Sequence, residues 1–440
     1  MKVAMVTPMA PESAIADVMM QAVPDLATRW DLEVWCPSGP AYLPCPVALH
    51  PFREPSAEVL SALAAFDLVV YVLGDSPWHT RILPLAQQLP GLVVLHDASL
   101  TNLLRHAALE AHTLDALMSH VERVAGAGRA HLLSTTLVSV DPDEWMQFCA
   151  EVPLTELALE GSLGAVVHSA WHARSVDGLT LGRVTVAPLP VPSSRSGLDS
   201  RGDPVAARLM ADLPDDAVLL VTVGSVNHNR RIDLLLEAIA GDEVLSRRIH
   251  LWAVGPSEGG MQTDLLGLAK TLGLRSRFAL PGRVSDSMLH EILTRADIAA
   301  ALRDPVLEGQ SASTLTQLAS GLPVVVYDHA HYAELPDDVA VKVNPGDGAS
   351  GIGRALRLLT DDEGARARRG QRGREYVASS RSGAAYAAAL LEAGEHATAT
   401  TPLLHLSADL GARLRRLGLH EEQAVMDVVT DAAFDLFDLA

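Results

Sequence analysis

Two doubly wound α/β domains facing each other across a central cleft, with a helical tail, are the architecture this sequence of 440 residues predicts. Three observations predict it. Short, continuous Val/Leu/Ile/Ala runs recur in both halves with helical stretches between them, the pattern of parallel strands buried on both faces. A stretch rich in Pro, Ser and Gly, residues 188–203 with PLPVPSSRSG inside it, divides the two series. The length suits two or three domains, and an apolar fraction of 48% is enough to fill real cores.

In the first half, Lys2 to Thr7 reads as a buried strand and Ile15 to Arg29 as a helix interrupted at Pro24. Leu32–Cys36, Phe66–Leu73 and Leu92–Leu95 read as the next strands, and Ala165–His168 and Val184–Ala187 as later ones. Ligands of parallel sheets bind beyond the carboxyl ends of the strands. Ser13, Gly74, His79, His96 and Asp97 fall on that edge, from three loops. The helical stretch 100–158 carries His106, His112, His120 and His131, whose spacings match no metal motif and which read as ordinary helix histidines.

After the divide the rhythm restarts. Val218–Val223, Ile249–Val254, Phe278–Leu280, Ile298–Leu302 and Pro323–Tyr327 read as strands. Helices are expected at Ile232–Ala240, Gln262–Leu272 and Leu289–Arg295. The stretch ALRDPVLEGQSASTLTQLASG is the most informative. Asp304-Pro305 breaks a strand, Glu308-Gly309-Gln310 turns, and Ser311, Ala312 and Ser313 open a helix that Gly321 ends. Small side chains, free backbone N–H groups and the positive end of the helix dipole make its first turn an anion site able to admit a diphosphate. The same residues also make an ordinary crossover with a Ser cap.

Charge and composition exclude other classes. A formal net charge of −20 argues against nucleic acid as a partner, which needs a basic face. Three cysteines, Cys36, Cys45 and Cys149, without metal spacing fit a reducing cytoplasm. The apolar run at the N-terminus stops at Pro8, so no signal segment is expected, and no run is long enough to span a bilayer.

Four motifs follow one another in the second half: VTVGSVNHNRRIDLLLEAIA, LPGRVSDSMLHEIL, ADIAAALRDPVLEGQSASTLTQLASGLPVVVYD and YAELPDDVAVKV. In the first half SAIA (Ser13–Ala16), Gly74-Asp75 before His79, and PGLVVLHD ending in His96-Asp97 are the matching elements. With these motifs the chain resembles the family 4 glycosyltransferases, which have the GT-B fold of two Rossmann-like domains. The resemblance covers roughly residues 1–390. It implies an acceptor-binding domain over 1–187, a linker over 188–217, a nucleotide-sugar donor domain over 218–380, and C-terminal helices over 381–440.

Carried over by position, the resemblance implies these roles. Arg230 stands where the family has Lys, on the donor diphosphate; its fork suits that task. Gly224, Asn227 and Arg231 flank it in the same loop. Glu308 is the first of the family's paired glutamates, near the donor sugar, with Arg303 either its ion-pair partner or a phosphate contact. Gly309, Gln310, Ser311, Ala312 and Ser313 would turn their N–H groups to the distal phosphate and sugar. Gly282 and Arg283 would lie along the nucleobase, and His96 would approach the sugar from the acceptor domain.

Three positions depart from the pattern. Ser225 replaces an Arg, Thr316 replaces the second glutamate that holds the ribose, and Asp75 replaces an Asn. They permit an altered donor, or a degenerate relative that binds a nucleotide sugar or docks a partner without turnover. The resemblance otherwise implies a retaining hexosyl-type transferase whose only cofactor-like ligand is the nucleotide-diphosphate sugar, with no metal. The acceptor is left open between a glycan, a natural product, a lipid and a protein.

In the tail, the arginines between Gly364 and Arg381 read as a solvated helix face, with contact to an anionic membrane surface as the weaker alternative. Tyr386 to Glu392 is expected to cross back to the first domain, and Thr398 to Pro402 (TATTP) to be a linker. Leu410, Leu414 and Leu417, then Ala424, Val428 and Val429, mark two amphipathic helices suited to a homodimer or partner contact.

Overall fold

The computed structural model describes residues 1–135, 140–191, 202–257 and 259–416, leaving aside the side chains of 407, 408, 414 and 415. The first domain is built on seven parallel strands: β1 (Lys2–Val6), β2 (Asp31–Pro37), β3 (Ala48–Phe52), β4 (Leu68–Leu73), β5 (Leu92–Leu95), β6 (Gly164–Val167) and β7 (Val184–Val186). Their order across the sheet is β3-β2-β1-β4-β5-β6-β7. The second has six: β8 (Val218–Val223), β9 (Ile249–Val254), β10 (Phe278–Gly282), β11 (Ile298–Ala301), β12 (Val324–Tyr327) and β13 (Ala340–Val343). Their order is β10-β9-β8-β11-β12-β13, again all parallel. Both orders reverse at the first strand of their series, the doubly wound topology that leaves a crevice at the carboxyl edge.

The apolar runs form strands because both faces are covered. In β1, Val3 and Met5 enter one core while Ala4 and Val6 enter another on the opposite face. In β8, Leu219, Val221 and Val223 point one way and Val218 and Leu220 the other. Helix Ala14–Leu26 is capped by Ser13, whose hydroxyl accepts from the Ala16 N–H at 3.2 Å. It ends three residues before the expected Arg29, with Pro24 in its last turn.

Two parts of the expected organisation differ. Residues 203–211, inside the expected linker, form helix Asp203–Ala211, tied to the second domain by the Asp203 carboxylate accepting from the Ser285 N–H at 2.8 Å. Thr398–Pro402 is not a linker but part of one continuous helix, Gly383–Arg416. That helix crosses back onto the first domain as expected: Tyr386 is buried, its hydroxyl 3.6 Å from the Met19 Sδ, and Gly394 packs against Trp30. Leu417, the last of the first amphipathic set, and the second segment with Ala424, Val428 and Val429 lie outside the described residues.

Candidate active site

A cleft of about 730 Å³ opens where the carboxyl ends of β8, β9 and β10 meet helix Ala312–Ala319. Gly224, Ser225, Arg283, Ser313 and Thr316 line it from the second domain, and Glu12 and Ala14 from the first. Ser311 caps the helix, its hydroxyl accepting from the Thr314 N–H at 3.3 Å. The small first turn at the positive end of an eight-residue helix therefore faces the cleft.

A cation lies beneath this floor. Arg230 is only 5% exposed, and its Nη1 donates to the Val223 carbonyl at 2.6 Å. Its Nη2 lies 2.0 Å from where a Cβ on Gly224 would be. Only a glycine admits the guanidinium so close to the strand end, and its φ of +116° lies where L side chains are strained. Gly255 backs onto the same turn, since a Cβ there would meet the Gly224 carbonyl oxygen at 2.1 Å.

Across the cleft's inner end the domains join. Asp97 and Glu308 form an antiparallel bridge. The Gly309 N–H donates to the His96 carbonyl at 2.9 Å, and the Ala98 N–H to the Leu307 carbonyl at 2.8 Å. The Ser169 hydroxyl donates to the Gly309 carbonyl at 2.8 Å. Glu308 is ion-paired with Arg303 at 3.2 Å and accepts from the Tyr332 hydroxyl at 3.1 Å, with His331 Nε2 3.9 Å away. Burial pushes its carboxyl up, but Arg303 and His331 outweigh that and hold it well below the ordinary range. It stays ionised and committed to these partners.

The histidines here are buried and neutral. Burial drives the His79 pKa down to about 4, and burial with neighbouring His168 and His79 drives His96 well below its ordinary value. The His79 Nδ1 lies 3.0 Å from the Val72 carbonyl, which can only accept, so that nitrogen carries the proton. His96 Nδ1 lies 3.1 Å from the Nε2 of His168.

Of the expected residues, Gly224, Arg283, Ser313 and Thr316 line the cleft, and Arg230 lies against it. His96, Asp97, Glu308, Gly309 and Arg303 gather at the domain junction. Several depart from their expected roles. Arg231, at φ +49°, turns away and pairs with Asp233 at 3.2 Å; it lines a separate hollow with Asp143 and His228. The Gly309 N–H is taken by the His96 carbonyl. Gln310 accepts from Arg381 at 2.7 Å, while Arg303 takes the first of its two expected roles, pairing with Glu308 and donating to the Asn229 side-chain oxygen. Ser13 is a helix cap, Asn227 precedes the short turn His228–Arg230, and Gly74 is packed, a Cβ there meeting Ile15 at 2.3 Å. Thr316 donates its hydroxyl to the Ala312 carbonyl at 3.1 Å. Gly282, at φ +82°, ends β10 just before Arg283, and its carbonyl accepts from the Gly255 N–H at 3.0 Å.

Asp75 explains its own departure from the pattern. One carboxylate oxygen accepts from the Leu103 N–H at 2.8 Å and the other from the Asn102 side chain at 2.7 Å. An Asn there has one acceptor oxygen where two are used. His120, in the helical stretch, sits 3.0 Å from Glu156 as an ordinary helix partner. Sequence reasoning missed His168, His172, His331, Tyr332 and Glu12. The single signal for His168 was a histidine closing a strand at the edge already marked by His96.

Residues 217–362 match the family model described as glycosyl transferases group 1. No curated protein matches the chain. Among solved structures, the chain is similar to WaaG, a glycosyltransferase involved in lipopolysaccharide biosynthesis, at 15% identity and TM-score 0.55, over 90% of this chain and 99% of that one. It is similar to sucrose-phosphate synthase from Thermosynechococcus elongatus at 16% identity and TM-score 0.57, over 89% and 97%. It is also similar to Anabaena HepE in complex with UDP at 12% identity and TM-score 0.59, over 89% and 98%. The chain therefore has the GT-B fold, and its second domain is the part that is similar to the group 1 glycosyl transferases.

Proposed function

We propose that this protein transfers a sugar, with retention of configuration, from a nucleotide-diphosphate sugar in the cleft to an acceptor held by the first domain. The observation that carries the reading is the meeting of Arg230, Gly224 and the start of helix Ala312–Ala319 around one cleft shared by both domains. Departure of a nucleoside diphosphate develops negative charge. A buried guanidinium and a helix N-terminus oppose that charge without reorganising. HepE was crystallised with UDP and with UDP-glucose, which supports a nucleotide-sugar donor for the same fold. His96 faces the sugar in this reading, and the Arg303–Glu308 pair fixes the loop that presents it.

A second reading, binding without turnover, is favoured by one observation. The residues in the cleft at the expected ribose and phosphate contacts are Thr316, whose hydroxyl already donates to Ala312, and Ser225. One pair of measurements separates the two. Thermal denaturation with UDP, GDP, ADP and TDP, each with and without magnesium, should show a rise with one base. A ligand at 100 times its dissociation constant adds about 2.7 kcal/mol. No rise with any of them refutes the donor site. Turnover, read as release of nucleoside diphosphate from the matching sugar donor, should fall roughly 100- to 1,000-fold in Arg230→Ala, the loss of about 2.7–4 kcal/mol typical of one such contact. An unchanged rate in a folded variant refutes the role of Arg230, and binding without release in the wild type supports the second reading.

A further inference from the structure

His168 follows β6, and the carbonyl of Ala187 follows β7, on the edge that faces the second domain. The His168 Nδ1 lies 3.3 Å from that carbonyl. A carbonyl can only accept, so Nδ1 carries the proton. In a neutral imidazole the other nitrogen is then bare. Burial keeps the ring neutral, driving its pKa down to about 4. The bare Nε2 faces the His96 Nδ1 at 3.1 Å, so the proton between them belongs to His96. The remaining nitrogen of His96, Nε2, is therefore a bare acceptor. It is buried and has no hydrogen-bond partner among the described residues. The two rings pack with centroids 4.4 Å apart, and Tyr386 of the C-terminal helix backs His168 at 5.6 Å.

We infer that His168 is a positioning residue: it fixes the tautomer of His96 so that the His96 Nε2 accepts a hydrogen bond from a hydroxyl of the donor sugar. This rests on the donor reading above. Without His168 the His96 ring has no local reason to keep its proton on Nδ1. With the proton on Nε2 it becomes a donor, and a sugar hydroxyl must reorganise to meet it. A buried acceptor without a partner is costly, and the incoming hydroxyl relieves that cost only when the tautomer is right.

The test uses the full chain with His168→Gln and His168→Leu. A glutamine can accept from the His96 Nδ1 and donate to the Ala187 carbonyl, so it reproduces both bonds; a leucine reproduces neither. Nitrogen NMR of ¹⁵N-histidine-labelled protein reads the tautomer directly, with His96 signals identified as those lost in His96→Gln. Wild type and His168→Gln should show an unprotonated Nε2 on His96, and His168→Leu should lose that signature. The kcat/KM for the sugar donor should fall about 10-fold or more in His168→Leu, the scale of leaving one buried polar group unpaired, and recover in His168→Gln. A protonated Nε2 on His96 in the wild type overturns the inference. So does an unchanged tautomer in the folded leucine variant, or an equal loss of activity in both variants. If the wild type turns over no donor, the donor reading fails by itself and the tautomer signal still decides whether His168 sets His96.

Discussion

Asp97 is held in a place that resists its charge. Burial, then the neighbouring Asp75 carboxylate, push its pKa up to about 7, and burial pushes Asp75 itself up to about 6. A folded-state pKa above the ordinary 3.8 means that the native protein binds this proton more tightly than the unfolded chain. The stability it contributes is complete below that ordinary value and is lost as pH rises through 7. The buried histidines act in the opposite sense. With folded pKa values of about 4 for His79 and His168 and about 3 for His172, they cost stability as pH falls below 6.5. Asp97→Asn separates the two contributions. Its oxygen can still accept the Asp75 N–H, which donates to the Asp97 carboxylate at 2.7 Å, but it cannot ionise. Calorimetric melting between pH 5 and 8 should show the variant gaining on the wild type as pH rises. Parallel melting curves would mean that Asp97 carries no such penalty.

Elements were legible where a run of apolar residues is buried on both faces. The bounds of β5, β8 and β9 and of helix Ile232–Ala240 follow directly from their sequences. Two of the four edge strands, β3 and β13, did not announce themselves. β3 carries Pro51 and has only one buried residue, Phe52, while β13 alternates with a lysine; neither gives the continuous signal of a central strand. TATTP read as a linker because threonine and proline are poor helix formers. In the fold the hydroxyls of Thr398 and Thr400 donate to the carbonyls of Gly394 and His396 at 2.8 and 3.0 Å, and packing on the first domain carries the helix through. The site divides in the same way. Gly224, Arg283 and Ser313 were legible because each follows a strand or opens a helix at the edge where ligands bind, and Thr316 through the resemblance, as the position of the second glutamate. Arg231 was not, because a left-handed backbone conformation turns it toward Asp233. The His96–His168 pair joins residues separated by 72 positions, and no local pattern encodes that contact.

At the scale of the molecule, the two domains are joined by groups that each belong to the other's architecture. Glu334 of the second domain caps helix Ala170–Ser175 of the first, accepting from the Ala170 N–H at 3.1 Å and the Trp171 N–H at 2.5 Å. This structural role spans the domain boundary. Beside it the 307–309 loop bonds to residues 96–99, so the cleft is closed at the end where Glu308 and His96 meet. A carboxylate at a helix N-terminus contributes about 1 kcal/mol. Here that energy is present only when the domains are together, so it biases closure rather than the stability of either domain. Glu334→Ala should therefore leave each domain folded but shift the equilibrium toward an open form by about fivefold, the population change that about 1 kcal/mol produces. Small-angle scattering should report a larger radius of gyration for the variant, and the difference should shrink when a bound nucleotide donor draws the domains together. An identical radius in both proteins would assign closure to the other bonds between the domains, those of residues 307–309 and Ser169 among them, and not to Glu334.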